Sequence, residues 1–219
     1  GSVWGRGSND SGQLGQASGL QFPDPVQIIT SGAVDVVAGN NWSMALLKEG
    51  KILSWGGNTN GELGARDSLY FQSPQRIPGL KVTDAVASNR SSYFVDLNGS
   101  LWSVGTENAD SLGNGSNGSS SIPVKVVDGN VSSVKSRFHH VLFRDANGSL
   151  LGFGKGGNGR LSNNSTHQRD IPTQVYEGNI TSFATGQDHS AMVLADGSLW
   201  TFGKNVKGQL GDGNNTDRL

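Results

Sequence analysis

Short apolar and β-branched runs follow one another along the chain, separated by Gly, Asn, Ser and Pro. In the first full stretch they are Val26–Ile29, Val34–Ala38, Ser43–Leu47 and Lys51–Trp55. Runs of this length between turn formers predict strands. No stretch carries apolar residues at i, i+3, i+4 and i+7 between caps, so helix is disfavoured. The last two strands of each set are joined through Glu49-Gly50, Asn98-Gly99, Asn147-Gly148 and Asp196-Gly197. Asn-Gly and Asp-Gly accept the positive φ angles that twisted antiparallel strands demand, so short hairpins are the expectation here.

The pattern recurs with one period. Leading glycines stand at Gly1, Gly50, Gly99, Gly148 and Gly197, a step of 49 each time. Pro25, Pro74, Pro123 and Pro172 keep the step, as do Leu14, Leu63, Leu112, Leu161 and Leu210. The repeats are therefore 1–49, 50–98, 99–147, 148–196 and the incomplete 197–219. A four-stranded antiparallel unit at this period is the pattern of a β-propeller blade. The fold class expected is all-β, a propeller with about four blades: four sets of strands between residues 25 and 202, and one extra last strand at the N-terminus. Trp4, Trp102 and Trp200 recur at one phase, and Trp55, Phe153 and Phe202 at another. Both sets of rings are expected to fill the space between blades.

Composition fits many tight turns. Of 219 residues 33 are Gly, about twice the usual share, and none is Cys, which excludes a disulfide scaffold and a cysteine-based zinc site. With 17 basic and 18 acidic side chains the net charge is −1. That balance speaks against a dedicated nucleic-acid binder, whose grip needs clustered Lys and Arg. No apolar run reaches the ~20 residues of a membrane-spanning helix. The chain begins Gly1-Ser2-Val3-Trp4 and stops at Asp217-Arg218-Leu219, so both ends read as cut. Low charge with abundant Ser and Asn leans to a secreted or cell-surface setting.

Gly197-Ser198-Leu199-Trp200-Thr201-Phe202-Gly203 runs on to Gly208-Gln209-Leu210-Gly211, and Gly186-Gln187-Asp188-His189-Ser190-Ala191 precedes it. These segments resemble the repeat of the regulator of chromosome condensation family, whose propellers usually have seven blades. The resemblance covers the whole chain. It implies that the chain is a fragment of a ring of about 343 residues. A piece of that kind leaves end blades wet, so self-association is expected. Departures are Asp110-Ser111 in place of Gly-Gln, Ser162 in place of Gly, and Arg137-Phe138-His139-His140 in place of Gly-x-x-His. Altered turns are expected in those blades.

Antiparallel topology sends the loops alternately to two ends of each blade. The turn at Asn40-Asn41-Trp42 shares one end with the long connections 7–24, 56–73, 105–122 and 154–171. Function on such scaffolds sits on loops held by rigid strands. The residues that vary between repeats there are the candidate partner-binding set: Asn41, Trp42, Arg90, Phe138, His139 and Asp188, with Arg66, Tyr70 and Phe71 in the second long loop. Trp, Tyr and Arg anchors contribute heavily to protein interfaces. Trp42, Tyr70 and Phe71 equally suit packing within or between blades.

Other motifs carry less. Gly152-x-Gly154-x-x-Gly157 and its neighbours match a dinucleotide fingerprint, but a polar loop and a Pro follow where a helix is required. Asp212–Asp217 is oxygen-rich yet lacks the terminal Glu of a calcium loop. His140 and His189 share a repeat phase without a nucleophile or carboxylate repeating beside them. No catalytic residue, cofactor or metal is expected. The expected function is a non-catalytic protein-interaction module using the long-loop end. The resemblance implies two alternatives, guanine-nucleotide exchange on a small GTPase and inhibition of a secreted enzyme.

Overall fold

The computed structural model describes residues 1–219 apart from 18, 20, 66, 67, 107–111 and 117. Among the described residues the regular structure is almost all strand, seventeen in number. β1 (Val3–Ser8) pairs antiparallel with β2 (Gln21–Ile29). β3 (Ala33–Ala38), β4 (Trp42–Leu47), β5 (Ile52–Gly57) and β6 (Tyr70–Arg76) form a four-stranded sheet in that order. β7 (Val82–Ala87), β8 (Ser91–Asp96), β9 (Leu101–Gly105) and β10 (Ser120–Val127) form a second. β11 (Val131–Ser136), β12 (His140–Asp145), β13 (Leu150–Gly154) and β14 (Arg169–Tyr176) form a third. β15 (Ile180–Thr185), β16 (His189–Leu194) and β17 (Leu199–Gly203) make a three-stranded sheet. The only helical elements among the described residues are two three-residue 3₁₀ turns, at Lys48–Gly50 and Gly157–Gly159.

The period is the one read from the sequence, but the strands group differently. The Pro-bearing strand does not pair with the strand that follows it. β2 pairs back with β1, and β6 pairs back with β5 across the long connection. Pro, which has no N–H for a ladder, sits on an edge strand in either grouping. In the third sheet β14 is the edge, and the register jumps from Gly152↔Thr173 to Gly154↔Arg169 around Pro172.

The hairpins also depart from expectation. Only Glu49-Gly50 has both residues at positive φ, 66° and 76°. At Asn147-Gly148 and Asp196-Gly197 the glycine alone is positive, at 89° and 85°. These are three-residue loops, closed by Asp145 N–H to Ser149 O at 3.0 Å and Leu194 N–H to Ser198 O at 3.0 Å. Asp145 Oδ1 accepts the Asn147 and Ser149 amides at 3.0 and 2.8 Å, so the acidic residue before the loop holds the first turn. Glycine then takes the left-handed place that three-residue hairpins require.

The chain divides into two compact units. The first holds β1–β2, the sheet β3–β6 and most of β7–β10; the second holds β11–β14 and β15–β17. In the first, Met44, Ile52, Leu63, Ile77, Phe94 and Val104 share one apolar core between the faces of two sheets. In the second, Leu142, Leu150, Leu161, Phe183, Met192 and Phe202 do the same. The recurrent Leu14, Leu63, Leu112, Leu161 and Leu210 are all buried. So are Trp55, Phe153 and Phe202. Trp4 and Trp200 correct the expectation for their phase: they are 56% and 54% exposed. Each indole N–H instead donates to the Ser hydroxyl two residues earlier, Ser2 at 3.0 Å and Ser198 at 3.1 Å.

Candidate functional site

One backbone hydrogen bond recurs at the loop end of the blades. A residue at the end of the third strand or just beyond it donates its N–H to the carbonyl just before the second strand. The pairs are Gly57 to Asn41 at 2.8 Å, Thr106 to Arg90 at 3.2 Å, Lys155 to His139 at 2.8 Å and Lys204 to Asp188 at 2.8 Å. Asn41, Arg90, His139 and Asp188 therefore occupy one position repeated at a step of 49. The turns carrying two of them are tied together in the first unit, where Asn40 Nδ2 donates to Asn89 Oδ1 at 2.8 Å.

The long connections are equally determined. Before three of the five recurrent leucines a buried Asn stands five residues earlier, and its side chain braces the loop from within. Asn58 Oδ1 accepts the Leu63 amide at 2.9 Å while its Nδ2 donates to Ser68 O at 2.7 Å. Asn9 does the same for Leu14 and Ala17, and Asn205 for Leu210 and Asn214. The acidic residues of the last loop serve this bracing. Asp212 Oδ1 accepts from Asn205 Nδ2 and Asp217 Oδ1 from the Asn205 amide. Hydrogen bonds from Arg218 and from Asn205 hold these two carboxyls below their ordinary range.

Four candidates need correction or relocation. Trp42 is only 2% exposed and belongs to the core of the first unit, so it cannot anchor a partner. Gly39 makes room for it, since a Cβ there would meet the Trp42 ring. Tyr70 and Phe71 lie not in a loop but at the start of β6, opposite Gly57 and Gly56. Phe71 packs on the core, whereas Tyr70 is 49% exposed beside exposed Leu69. Arg66 falls outside the described residues. Arg90 is exposed; Phe138 and His139 are half-buried, their rings 5.9 Å apart and tilted by 56°.

The altered turn at Arg137 has a structural consequence. In the next blade Gly186 lies against the His189 ring, where a Cβ would clash. Arg137 has that Cβ, and the His140 ring turns inward, fully buried, with Nε2 2.7 Å from Ser190 Oγ. Ser190 Oγ donates to Arg160 O at 3.1 Å, so its one proton is engaged and His140 Nε2 is the donor between them. Burial, and next the Arg160 charge, push the His140 pKa down to about 3. Ser162, by contrast, keeps the turn it inherits: its φ is 44°, where the equivalent Gly15, Gly64, Gly113 and Gly211 lie between 64° and 76°.

Two charged positions were not singled out by sequence reasoning. Glu62 and Arg160 replace the Gln of the repeat, seen at Gln13 and Gln209. Glu62 is buried and accepts the Asn60 amide at 2.7 Å; desolvation raises its pKa, opposed in part by hydrogen bonds from the backbone of Glu62 and Asn60 and from the Asn60 side chain, and least by the Arg90 charge. Arg160 is also buried, 2.8 Å from Asp188, and Lys204 adds a second cation at 3.4 Å. Lining up the repeats by eye reveals both as charged breaks in the Gln column.

No helix among the described residues is long and apolar enough to cross a membrane. No group of three or more His, Asp or Glu among them is placed to hold a metal ion. Gly157–Gly159 is a 3₁₀ turn, so no helix N-terminus follows the glycine fingerprint.

The model of the regulator of chromosome condensation (RCC1) repeat matches residues 1–46, 49–95 and 147–193. The chain belongs to the RCC1 repeat family. A second model of the same description matches 33–62 and 180–209. No curated protein gives a significant sequence match. Among solved structures, human WBSCR16 is similar with a TM-score of 0.85 and 24% identity, over 99% of this chain and 59% of that one. Prp20p of Saccharomyces cerevisiae gives 0.80 and 19%, over 99% and 57%. Yeast RCC1 (Prp20) bound by Kap60 gives 0.77 and 18%, over 90% and 50%. The chain thus spans between half and three-fifths of these relatives. Its fold is that of a partial RCC1-type β-propeller of about four blades.

Proposed function

We propose that the loop ends of these RCC1 blades form a non-catalytic protein-binding surface. The observation that carries the reading is the shared position of Asn41, Arg90, His139 and Asp188. One backbone hydrogen bond holds all four on fixed turns, while their chemistry changes from amide to guanidinium, imidazole and carboxylate. A rigid frame presenting varied side chains suits recognition, because little conformational entropy is lost on binding. Exposed Leu69 and Tyr70 supply apolar surface at the same end of the β3–β6 sheet. The relatives support the partner class: Prp20p has binding properties toward Gsp1p and histones, and Kap60 binds yeast RCC1.

The test is direct binding of purified small GTPases and core histones to the chain. Leu69→Ala/Tyr70→Ala is compared with Glu49→Ala/Lys51→Ala at the hairpin end. Loss of binding in the loop-end variant alone is expected; equal loss in both would overturn the reading. Nucleotide release is followed in parallel. Acceleration by substoichiometric chain would replace simple binding with exchange activity, and blockage of a secreted enzyme would replace it with inhibition.

A further inference from the structure

On the β11–β14 sheet two columns of the repeat break together. In each sheet from β3 onward one residue of the first strand lies opposite one of the second: Asp35↔Leu46, Asp84↔Val95, Ser133↔Arg144 and Ser182↔Val193. Both members keep the step of 49. The second member is apolar except at Arg144. Two residues beyond the first member the column reads Val37, Val86, Lys135 and Ala184. The β11–β14 sheet therefore holds two cations at positions that are apolar in the other three. It also carries Ser133 where the two sheets before it carry Asp. The repeat shows that the fold has no need of these cations.

Ser133, Lys135 and Arg144 line one small pocket with Thr181, Ser182 and Phe183 of β15. Its volume of about 160 Å³ is room for about five waters. No carboxylate lines it, and the acid next along the chain, Asp145, is engaged at the hairpin by the Asn147 and Ser149 amides. Arg144 is half-buried and spans the gap between the two sheets. Its Nε donates to Ser132 Oγ at 3.2 Å, and its Nη1 to Ile180 O at 2.9 Å and Thr181 O at 3.3 Å, which leaves Nη2 over. Lys135 is exposed and has no ion-pair partner among the described residues. The Ser133 and Ser182 hydroxyls are likewise unengaged among them.

We propose that this pocket binds a phosphate group, free or as a monoester, with Lys135 and Arg144 Nη2 pairing its charge and the Ser133 and Ser182 hydroxyls donating to its oxygens. A phosphate monoester carries about −1.5 to −2 charge at pH 7 and three strong acceptor oxygens. Donors from four separate side chains suit such a tetrahedral group, and the pocket has space for its five heavy atoms. A carboxylate is held best by the planar fork of Arg, through two parallel N–H bonds. Here that fork is already engaged at Nε and Nη1. The pocket lies on strands, so the proposal goes beyond the loop-end surface and does not rest on it.

The probe is inorganic phosphate, titrated into the whole chain by calorimetry at about pH 7.5 against sodium chloride of matched ionic strength. Saturable binding with a Kd of about 1 mM or tighter is expected, with a raised melting temperature at saturation. Lys135→Val and Arg144→Val restore residues found at the equivalent places, Val86 and Val95. Lys135→Val should weaken binding about tenfold, the double variant should abolish it, and Lys51→Ala at the hairpin end should leave it unchanged. Circular dichroism melts separate misfolding from lost contact, and the exposed Lys135→Val change keeps the test decisive if the double variant does not fold. O-phosphoserine is titrated in parallel. Tighter binding than inorganic phosphate supports a monoester as the ligand, and weaker binding supports the free anion. Absence of saturable binding, equal binding by Lys135→Val, or acetate bound as tightly as phosphate overturns the proposal. The Leu69→Ala/Tyr70→Ala comparison uses other residues and other ligands, so failure here leaves that result standing.

Discussion

Arg160 Nη2 lies 2.8 Å from Asp188 Oδ1, and Glu62 and Arg90 hold the same two repeat positions with the signs exchanged. In both cases the first residue sits in a long connection and accepts, through its carbonyl, a Ser hydroxyl from the next sheet. Glu62 O takes Ser92 at 2.8 Å and Arg160 O takes Ser190 at 3.1 Å. The Arg160–Asp188 pair therefore bridges consecutive sheets, and at the corresponding positions the Arg90 charge acts on Glu62. Arg160→Glu and Asp188→Arg should each destabilise the chain, and the double exchange should recover much of the loss. Denaturation midpoints are expected to give a coupling of about 1–3 kcal/mol between the sites. Additive losses in the double variant would remove the pairing from the account.

Glu62 makes stability depend on pH in an unusual direction. Its pKa is raised, chiefly by burial, so above the ordinary carboxylate range the folded chain holds this proton more tightly than the unfolded one. Stability contributed by Glu62 is then greatest in acid and falls as pH rises through the raised pKa. Glu62→Gln restores the residue found at Gln13 and Gln209, and keeps an oxygen for the Asn60 amide. Its melting temperature should exceed that of the parent at pH 7, and the gap should close toward pH 4.5. A gap that is constant across that range would contradict the burial argument.

Ser162 holds the one left-handed position of its column that lacks glycine. A side chain there meets its own backbone, which costs roughly 1–2 kcal/mol. Ser162→Gly should stabilise the chain by about 1 kcal/mol, without altering the Ser162 N–H to Gly159 O bond of 2.9 Å. Equilibrium urea unfolding checks it; an unchanged or lower midpoint counts against strain at this residue.

Much of the fold was legible because a step of 49 exposes which residues the architecture needs. Leu14, Leu63, Leu112, Leu161 and Leu210 read as core from recurrence alone, and all are buried. The grouping of strands was not legible, since β6 pairs with β5 across a long connection and the edge position of Pro74 suits either grouping. The site was partly legible. Asn41, Arg90, His139 and Asp188 stood out as variation at one phase, and the structure gives them one backbone setting. Trp42 misled, because its burial depends on Gly39 three residues earlier leaving space for the ring. The Glu62–Arg90 and Arg160–Asp188 exchange was hidden by distance: each couple is 28 residues apart and acquires meaning only when consecutive sheets are placed together.

His140 sets the opposite limit to Glu62. Its Nε2 proton points to Ser190, while its Nδ1 is buried with no partner among the described residues. A second proton would have to enter at Nδ1, in a dry site facing the Arg160 guanidinium and the His139 and His189 rings, with only Asp188 in opposition. The folded pKa is accordingly lowered from 6.5 to about 3, burial being the main cause. Between those values the unfolded chain binds a proton that the folded chain refuses, so stability is complete above pH 6.5 and is lost progressively as pH falls. His140→Gln, which can still donate to Ser190 and does not titrate, should show a shallower loss of stability from pH 6.5 to pH 4. The comparison requires the difference between the two unfolding curves, because the other three histidines are common to both chains. Parallel curves would mean that His140 accepts its proton in the folded state, and with that the inward turn imposed by Arg137 would have to be abandoned.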